Sequence, residues 1–160
     1  MKKLILVISF FVFKSTLFGQ LNLEAQIGGS NFLGFSINTE VDIPLFKNKN
    51  YALSPSFGLG LIRIPHLANA TIIHSGLHLK YRKWGIGTEV SHFSGDFVEL
   101  LVYPNVNYTF GIRSNWYLKA SVGAFIPFAY MNKSDKGASD LRFAGDIIPG
   151  AGINFGYRFR

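Results

Sequence analysis

Every second residue is apolar through most of this chain, in eight successive runs, and that alternation limits what the chain can become. A period of two marks extended backbone, whose side chains point to opposite faces in turn. The runs are residues 21–28, 33–43, 51–61, 72–81, 84–92, 97–110, 116–128 and 147–159. In the third run Tyr51, Leu53, Pro55, Phe57, Leu59 and Leu61 oppose Ala52, Ser54, Ser56, Gly58 and Gly60. In the fourth, Ile73, Leu77, Leu79 and Tyr81 oppose His74, Gly76, His78 and Lys80. In the last, Ile153, Phe155, Tyr157 and Phe159 oppose Gly152, Asn154, Gly156 and Arg158. One face is greasy; the other is glycine-rich, polar or charged.

A soluble barrel or sandwich turns such an apolar face inward, whereas a membrane barrel turns it to lipid. Run length favours lipid. The runs are mostly about nine to thirteen residues, which suits a tilted crossing of hydrocarbon at about 9–11 residues; soluble strands average about 5–6. Composition points the same way. Charged residues make up only 16% and there are 16 Phe among 160 residues, where a soluble domain carries about a quarter charged residues. After residue 20 the sequence has no stretch of about 20 apolar residues, so no helix is available to cross a membrane. Strands that do so must close on themselves, because unpaired backbone is too costly in hydrocarbon.

The aromatic residues add a second constraint. Tyr51, Tyr81, Trp84, Tyr108, Trp116 and Tyr157, with Phe110 and Phe159, all adjoin the same set of turns. That set, residues 44–50, 82–83 and 111–115, is short, while the other set, 63–71, 93–96 and 129–146, is mostly longer, with 29–32 a short exception. Tyr and Trp favour the headgroup layer, where the ring stays apolar and its polar tip stays wet. The opposite face carries Glu24, Glu40, His74, His78, Lys80, Glu89, Glu99, Lys119 and Arg158. An eight-stranded barrel has room inside only for its own side chains. Charges of both signs there predict a paired internal network that plugs the lumen, since buried charges are tolerated only when paired. The predicted fold is therefore all-β, an eight-stranded antiparallel up-and-down transmembrane β-barrel over residues 20–160.

Residues 1–19 read as an address. Met1-Lys2-Lys3 is a basic start, and Leu4–Phe13 is an apolar run of ten, the length of a signal-peptide core and too short to span. Cleavage after Gly19 leaves thirteen basic and nine acidic residues, a net charge of +4. No dense basic cluster is interleaved with aromatics, so nucleic acid is not an expected partner. There is no cysteine, which excludes disulfides, thiolate metal sites and a lipoprotein anchor.

With its basic leader, eight alternating runs and closing NFGYRF, the sequence resembles the small OmpA/OmpX-like outer-membrane barrels. The resemblance spans residues 21–160 as a pattern rather than a motif. It departs in one respect: the terminal aromatic of that family is here Phe159, followed by Arg160. The resemblance implies export by the signal peptide and a place in the outer membrane of a Gram-negative cell. It also implies insertion by the barrel-assembly machinery with periplasmic chaperone escort, and membrane lipid and lipopolysaccharide as partners. Its members are structural proteins, adhesins or small enzymes.

For function, the leading expectation is a monomeric, non-enzymatic outer-membrane protein without cofactor or metal. It would support envelope integrity or surface interaction through extracellular loops, of which 129–146 is the longest. One local element suggests an alternative. His92 and Ser94 share a face near the loop end, with Asp96 following, and resemble a His-x-Ser element of eight-stranded lipid A deacylases. Serine attack on an ester with histidine as base needs a carboxylate to orient the ring. A third reading is a soluble periplasmic lipid-binding barrel. His74 and His78 stand about 13 Å apart along one strand face, too far for a shared metal without an element between them. The glycine runs at 58–61 and 149–156 lack the strand-to-helix context and lysine of a nucleotide loop.

Overall fold

A computed structural model describes residues 19–46, 50–64, 68–95, 98–131 and 147–159, without the side chains of 64, 68, 98, 99, 113 and 128–131. The leader and the 132–146 segment of the long connection thus lie outside the described residues. The strands are β1 (Gln20–Gly28), β2 (Phe35–Pro44), β3 (Tyr51–Ile64), β4 (Ala68–Tyr81), β5 (Trp84–Gly95), β6 (Val98–Arg113), β7 (Trp116–Met131) and β8 (Ile148–Arg158). Each pairs antiparallel with its sequence neighbour, and β1 pairs with β8 from Asn22↔Arg158 to Gly28↔Gly152. The sheet is a closed eight-stranded barrel with no free edge, and closure satisfies the ladder groups that an open sheet would leave unpaired.

Facing follows from the alternation. Phe57, Leu77 and Val122 are 49%, 49% and 63% exposed, while Glu24, Glu40 and Lys119 are 2%, 1% and 5% exposed. The greasy residues form the outer wall and the charged ones fill the inside, the reverse of a soluble domain. Prolines on the outer face fit this. Pro55 and Pro104 have no N–H to offer, and each falls in a short gap in the ladder on one side, towards β2 and β7 respectively.

Strand ends differ from the sequence expectation at the loop end. β3 and β4 run on to Ile64 and from Ala68, leaving only residues 65–67 between them, and β5 reaches Gly95. The predicted connection 63–71 is therefore mostly strand, and the contrast in loop length rests on the β7–β8 connection. At the other end β6 continues to Arg113, so the turn expected at 111–115 is the two-residue Ser114-Asn115. One extra β6 residue, Ile112, bulges between the pairs Gly111↔Tyr117 and Arg113↔Trp116. A bulge bends the strand and shifts its facing by one residue, which period counting cannot register.

The β1–β2 connection is the main departure. It reads as an ordinary short loop, but Gly29–Asn31 forms a 3-10 turn with all three residues buried inside the barrel. Phe32 leaves this turn at φ 58° and ψ −108°, a left-handed backbone that is unfavourable for a bulky residue. Its ring lies edge-on to Phe125, centroids 5.3 Å apart.

Candidate functional site

The lumen is where most of the sequence-predicted site residues meet, in three layers. The layer nearest the short turns is charged. Lys119 Nζ on β7 lies 2.6 Å from Glu24 Oε1 on β1 and 3.3 Å from Glu40 Oε2 on β2. Lys80 on β4 pairs with Glu40 and, at 2.6 Å, with Asp42. Glu24 accepts further bonds from Tyr117 Oη at 2.6 Å and Asn154 Nδ2 at 2.5 Å. Asp42 accepts from Ser54 Oγ at 2.6 Å and Asn22 Nδ2 at 2.9 Å. Arg158 lies over the Tyr117 ring, 4.6 Å from its centroid. Glu24 and Asp42 thus each have a cation and neutral donors, and Glu40 has two lysines, the condition under which burying a carboxylate is tolerated.

Glycine makes this layer possible. A Cβ at Gly156 would lie 2.3 Å from the Tyr117 ring, so only glycine on β8 lets the tyrosine reach Glu24. Likewise a Cβ at Gly58 would lie 2.2 Å from His74 Nε2.

The middle layer centres on Glu89 of β5. Its carboxylate lies between the two histidines of β4, 3.6 Å from His74 Nδ1 and 3.4 Å from His78 Nε2. His78 Nδ1 is 4.0 Å from Glu40, which links the two layers. Neither His78 nitrogen has hydrogen-bond alignment with a described partner, so its approaches to Glu89 and Glu40 are close contacts rather than directed bonds. Among the described residues no group of three or more ligating side chains is arranged to hold a metal.

The buried turn sits on this layer. Ser30 Oγ accepts from Gln26 Nε2 at 3.2 Å and is 3.4 Å from His74 Nδ1, and Ser91 Oγ donates to Ser30 O at 2.7 Å. Asn31 Nδ2 donates to Ser36 Oγ at 2.7 Å, and Ser36 donates to Asn38 Oδ1 at 2.6 Å. Asn38 in turn donates to Gln26.

The third layer, towards the loop end, is apolar. Ile62, Ala70, Ile72, Phe93, Leu101, Tyr103 and Phe125 are buried together, with Phe32 and Ile148 packed against them. The Tyr103 and Phe125 rings stack at 4.8 Å. Phe32, Leu101, Phe125, Pro127 and Ile148 line a shallow, uncharged recess too tight to admit a water molecule. The alternation suggested a small or polar inward face throughout, and this layer corrects that. Ile72 sits at inward parity beside the apolar Ile73, so the contrast that reveals facing is weak there, and Phe93 falls one residue beyond the fifth alternating run.

The other predicted residues fall elsewhere. Glu99 is a β6 residue opposite Phe93, and its side chain lies outside the described set. His92 and Ser94 are exposed on the outer face of β5, across from Ile73 and Thr71 of β4. Among the described residues no hydrogen bond joins them, Glu89 points into the lumen, and Asp96 lies outside the described residues.

The aromatic residues gather at the short-turn rim. Tyr51 and Tyr81 rings are 4.7 Å apart, Trp84 and Tyr108 4.7 Å, Trp116 and Tyr157 4.9 Å, and Tyr157 and Phe159 5.0 Å. Tyr51, Tyr81, Trp84 and Trp116 are exposed, and Tyr108 and Tyr157 are half-buried among them.

No protein-family model and no curated protein matches the chain. Among solved structures it is similar to the backbone structure of the Yersinia pestis outer membrane protein Ail in a phospholipid bilayer nanodisc. The likeness covers 88% of this chain and 99% of that one, at 11% identity and a TM-score of 0.47. An overlap of that quality adds nothing to the barrel geometry described above.

Proposed function

We propose that this protein is an integral outer-membrane β-barrel that works without catalysis. It would lend integrity to the envelope or present its loops to partners outside, on a wall whose lumen passes no solute. The observation that carries the reading is the inverted distribution of polarity. In plain water the exposed surface, which includes Phe57, Leu59, Leu77, Ile86, Val122 and Ile153, would be a large apolar patch that drives association. In a bilayer the same surface is solvated, and the aromatic rim falls at headgroup depth.

The lumen supports the second half of the proposal. A cross-strand ion network, the buried Gly29–Asn31 turn and an apolar layer follow one another along the barrel axis. A lipid-binding calyx would instead need an apolar cavity, and the middle of this barrel is filled by hydrogen-bonded polar groups. His92 and Ser94 on the outer face have no hydrogen bond to one another to favour ester hydrolysis.

Fractionation and gel mobility test the reading together. The protein is expected in the outer-membrane fraction, extractable only with detergent, and to migrate faster unboiled than boiled. A monodisperse sample in plain buffer with native strand content would overturn it. Lipid A mass spectra from cells with wild type and Ser94→Ala are expected to coincide; a difference in acyl pattern would restore the enzyme.

A further inference from the structure

In sequence, the excess positive charge of the barrel falls on the connections and strand ends of the short-turn side. The described interior holds Glu24, Glu40, Asp42 and Glu89 with Lys80 and Lys119. The connections and strand ends on the loop side set Arg63, Lys133, Lys136 and Arg142 against Asp96, Glu99, Asp135, Asp140 and Asp146. Those on the short-turn side contain Lys47, Lys49, Arg82, Lys83, Arg113, Arg158 and Arg160 and no acid at all. The acid nearest this side, Asp42, is occupied by Lys80, Ser54 and Asn22. Of the basic set, Arg82 and Lys83 are exposed on the two-residue turn between β4 and β5, and Arg158 is half-buried at the mouth of the lumen.

The position of Arg82 and Lys83 along the barrel is fixed by their neighbours. They stand between Tyr81 and Trp84, which pair across the hairpin and are themselves exposed. The Arg82 guanidinium carbon is 5.4 Å from the Tyr81 ring centroid, an arrangement that holds a cation against an aromatic face. A cation one residue beyond rings at headgroup depth is level with lipid phosphates.

We propose that this rim is a binding surface for anionic phospholipid headgroups in the leaflet on the short-turn side. Guanidinium and ammonium groups donate to phosphate oxygens of any phospholipid. Only a headgroup with net negative charge also gains from an uncompensated positive rim, because a zwitterionic headgroup carries its own cation. The proposal rests on the bilayer reading above.

The test compares wild type with Arg82→Gln/Lys83→Gln, both refolded into mixed phosphatidylcholine–phosphatidylglycerol nanodiscs, with retained lipids counted by native mass spectrometry. Wild type is expected to retain phosphatidylglycerol several-fold above its share of the disc. The double variant is expected to lose enrichment by up to about five-fold per charge removed, while keeping the unboiled gel mobility of the folded barrel. Retention in the bulk lipid ratio by wild type, or undiminished enrichment in the variant, overturns the proposal. So does capture of soluble acidic cell-wall fragments by a wild type that shows no lipid preference. A chain that folds into no bilayer of either lipid sinks the membrane reading and this proposal together. An inserted barrel without preference sinks this proposal alone.

Discussion

At the scale of the residue, Lys119 shows what holds the inside together. It bridges Glu24 and Glu40 with 5% of its surface exposed. Removing one member of a buried ion set strands the others, at a cost of about 3–5 kcal/mol. Lys119→Met is therefore expected to lower unfolding free energy in lipid vesicles by that amount, and Glu24→Gln added to it should recover part of the loss. An additive double variant, measured by urea titration, would show that the two do not form one unit. On the outer wall the expectation reverses. Val122→Arg should cost about 2–4 kcal/mol in lipid, and a neutral result would mean that Val122 does not meet hydrocarbon. Parity alone told that Lys119 and Glu24 share the inside. It did not tell that they meet, because they stand on β7 and β1 with β8 between them, and only the closed register brings them together. Tyr117 was missed although its parity, between outward Trp116 and Leu118, places it inside with Lys119; that its hydroxyl is buried against Glu24 again depends on closure.

At the scale of the element, the β1–β2 connection carries more than its length suggests. Gly28, Gly29 and Phe32 all adopt positive φ, and this lets six residues enter the lumen, turn and leave again. The sequence signal was the glycine pair itself, which marks a backbone that needs φ above zero, but a tight hairpin would demand the same pair. The turn is clamped from above by Phe125 and from the sides by Ser36, His74 and Ser91. Phe125→Ala should cost about 3–5 kcal/mol and, more tellingly, should raise hydrogen exchange at the Phe32 and Gly34 amides, which bond Gly29 O and Asn31 O. Unchanged protection at those two amides would show that the turn is held without the apolar layer. Strand existence and facing were legible because long runs keep their phase. Strand ends were not, since β4 and β5 continue past the apolar band into polar residues such as Asn69 and Ser94, where the alternation fades while the ladder persists.

At the scale of the whole molecule, closure is the decisive property. The seam between β1 and β8 joins Asn22 to Arg158 and Glu24 to Gly156, pairings between strands at opposite ends of the barrel's sequence. A chain stopped after β7 exposes two edges and loses Asn154 and Arg158 from the charged layer. Such a truncation is expected to yield no heat-modifiable form in vesicles; a folded, inserted seven-stranded product would show that the seam is dispensable. The eight-stranded count and antiparallel order were readable from eight runs and short connections, whereas the filling of the lumen depended on which residues closure brings opposite one another.

The same seam sets the order of events in a cell. A nascent chain emerging from the ribosome has its first strand long before the strand that must zip to it, so no partial product has a stable resting form, and contacts this distant in sequence form slowly. Messages cut short by nonsense mutation should accordingly leave no shortened barrel to find, only fragments for the cell's proteases to clear.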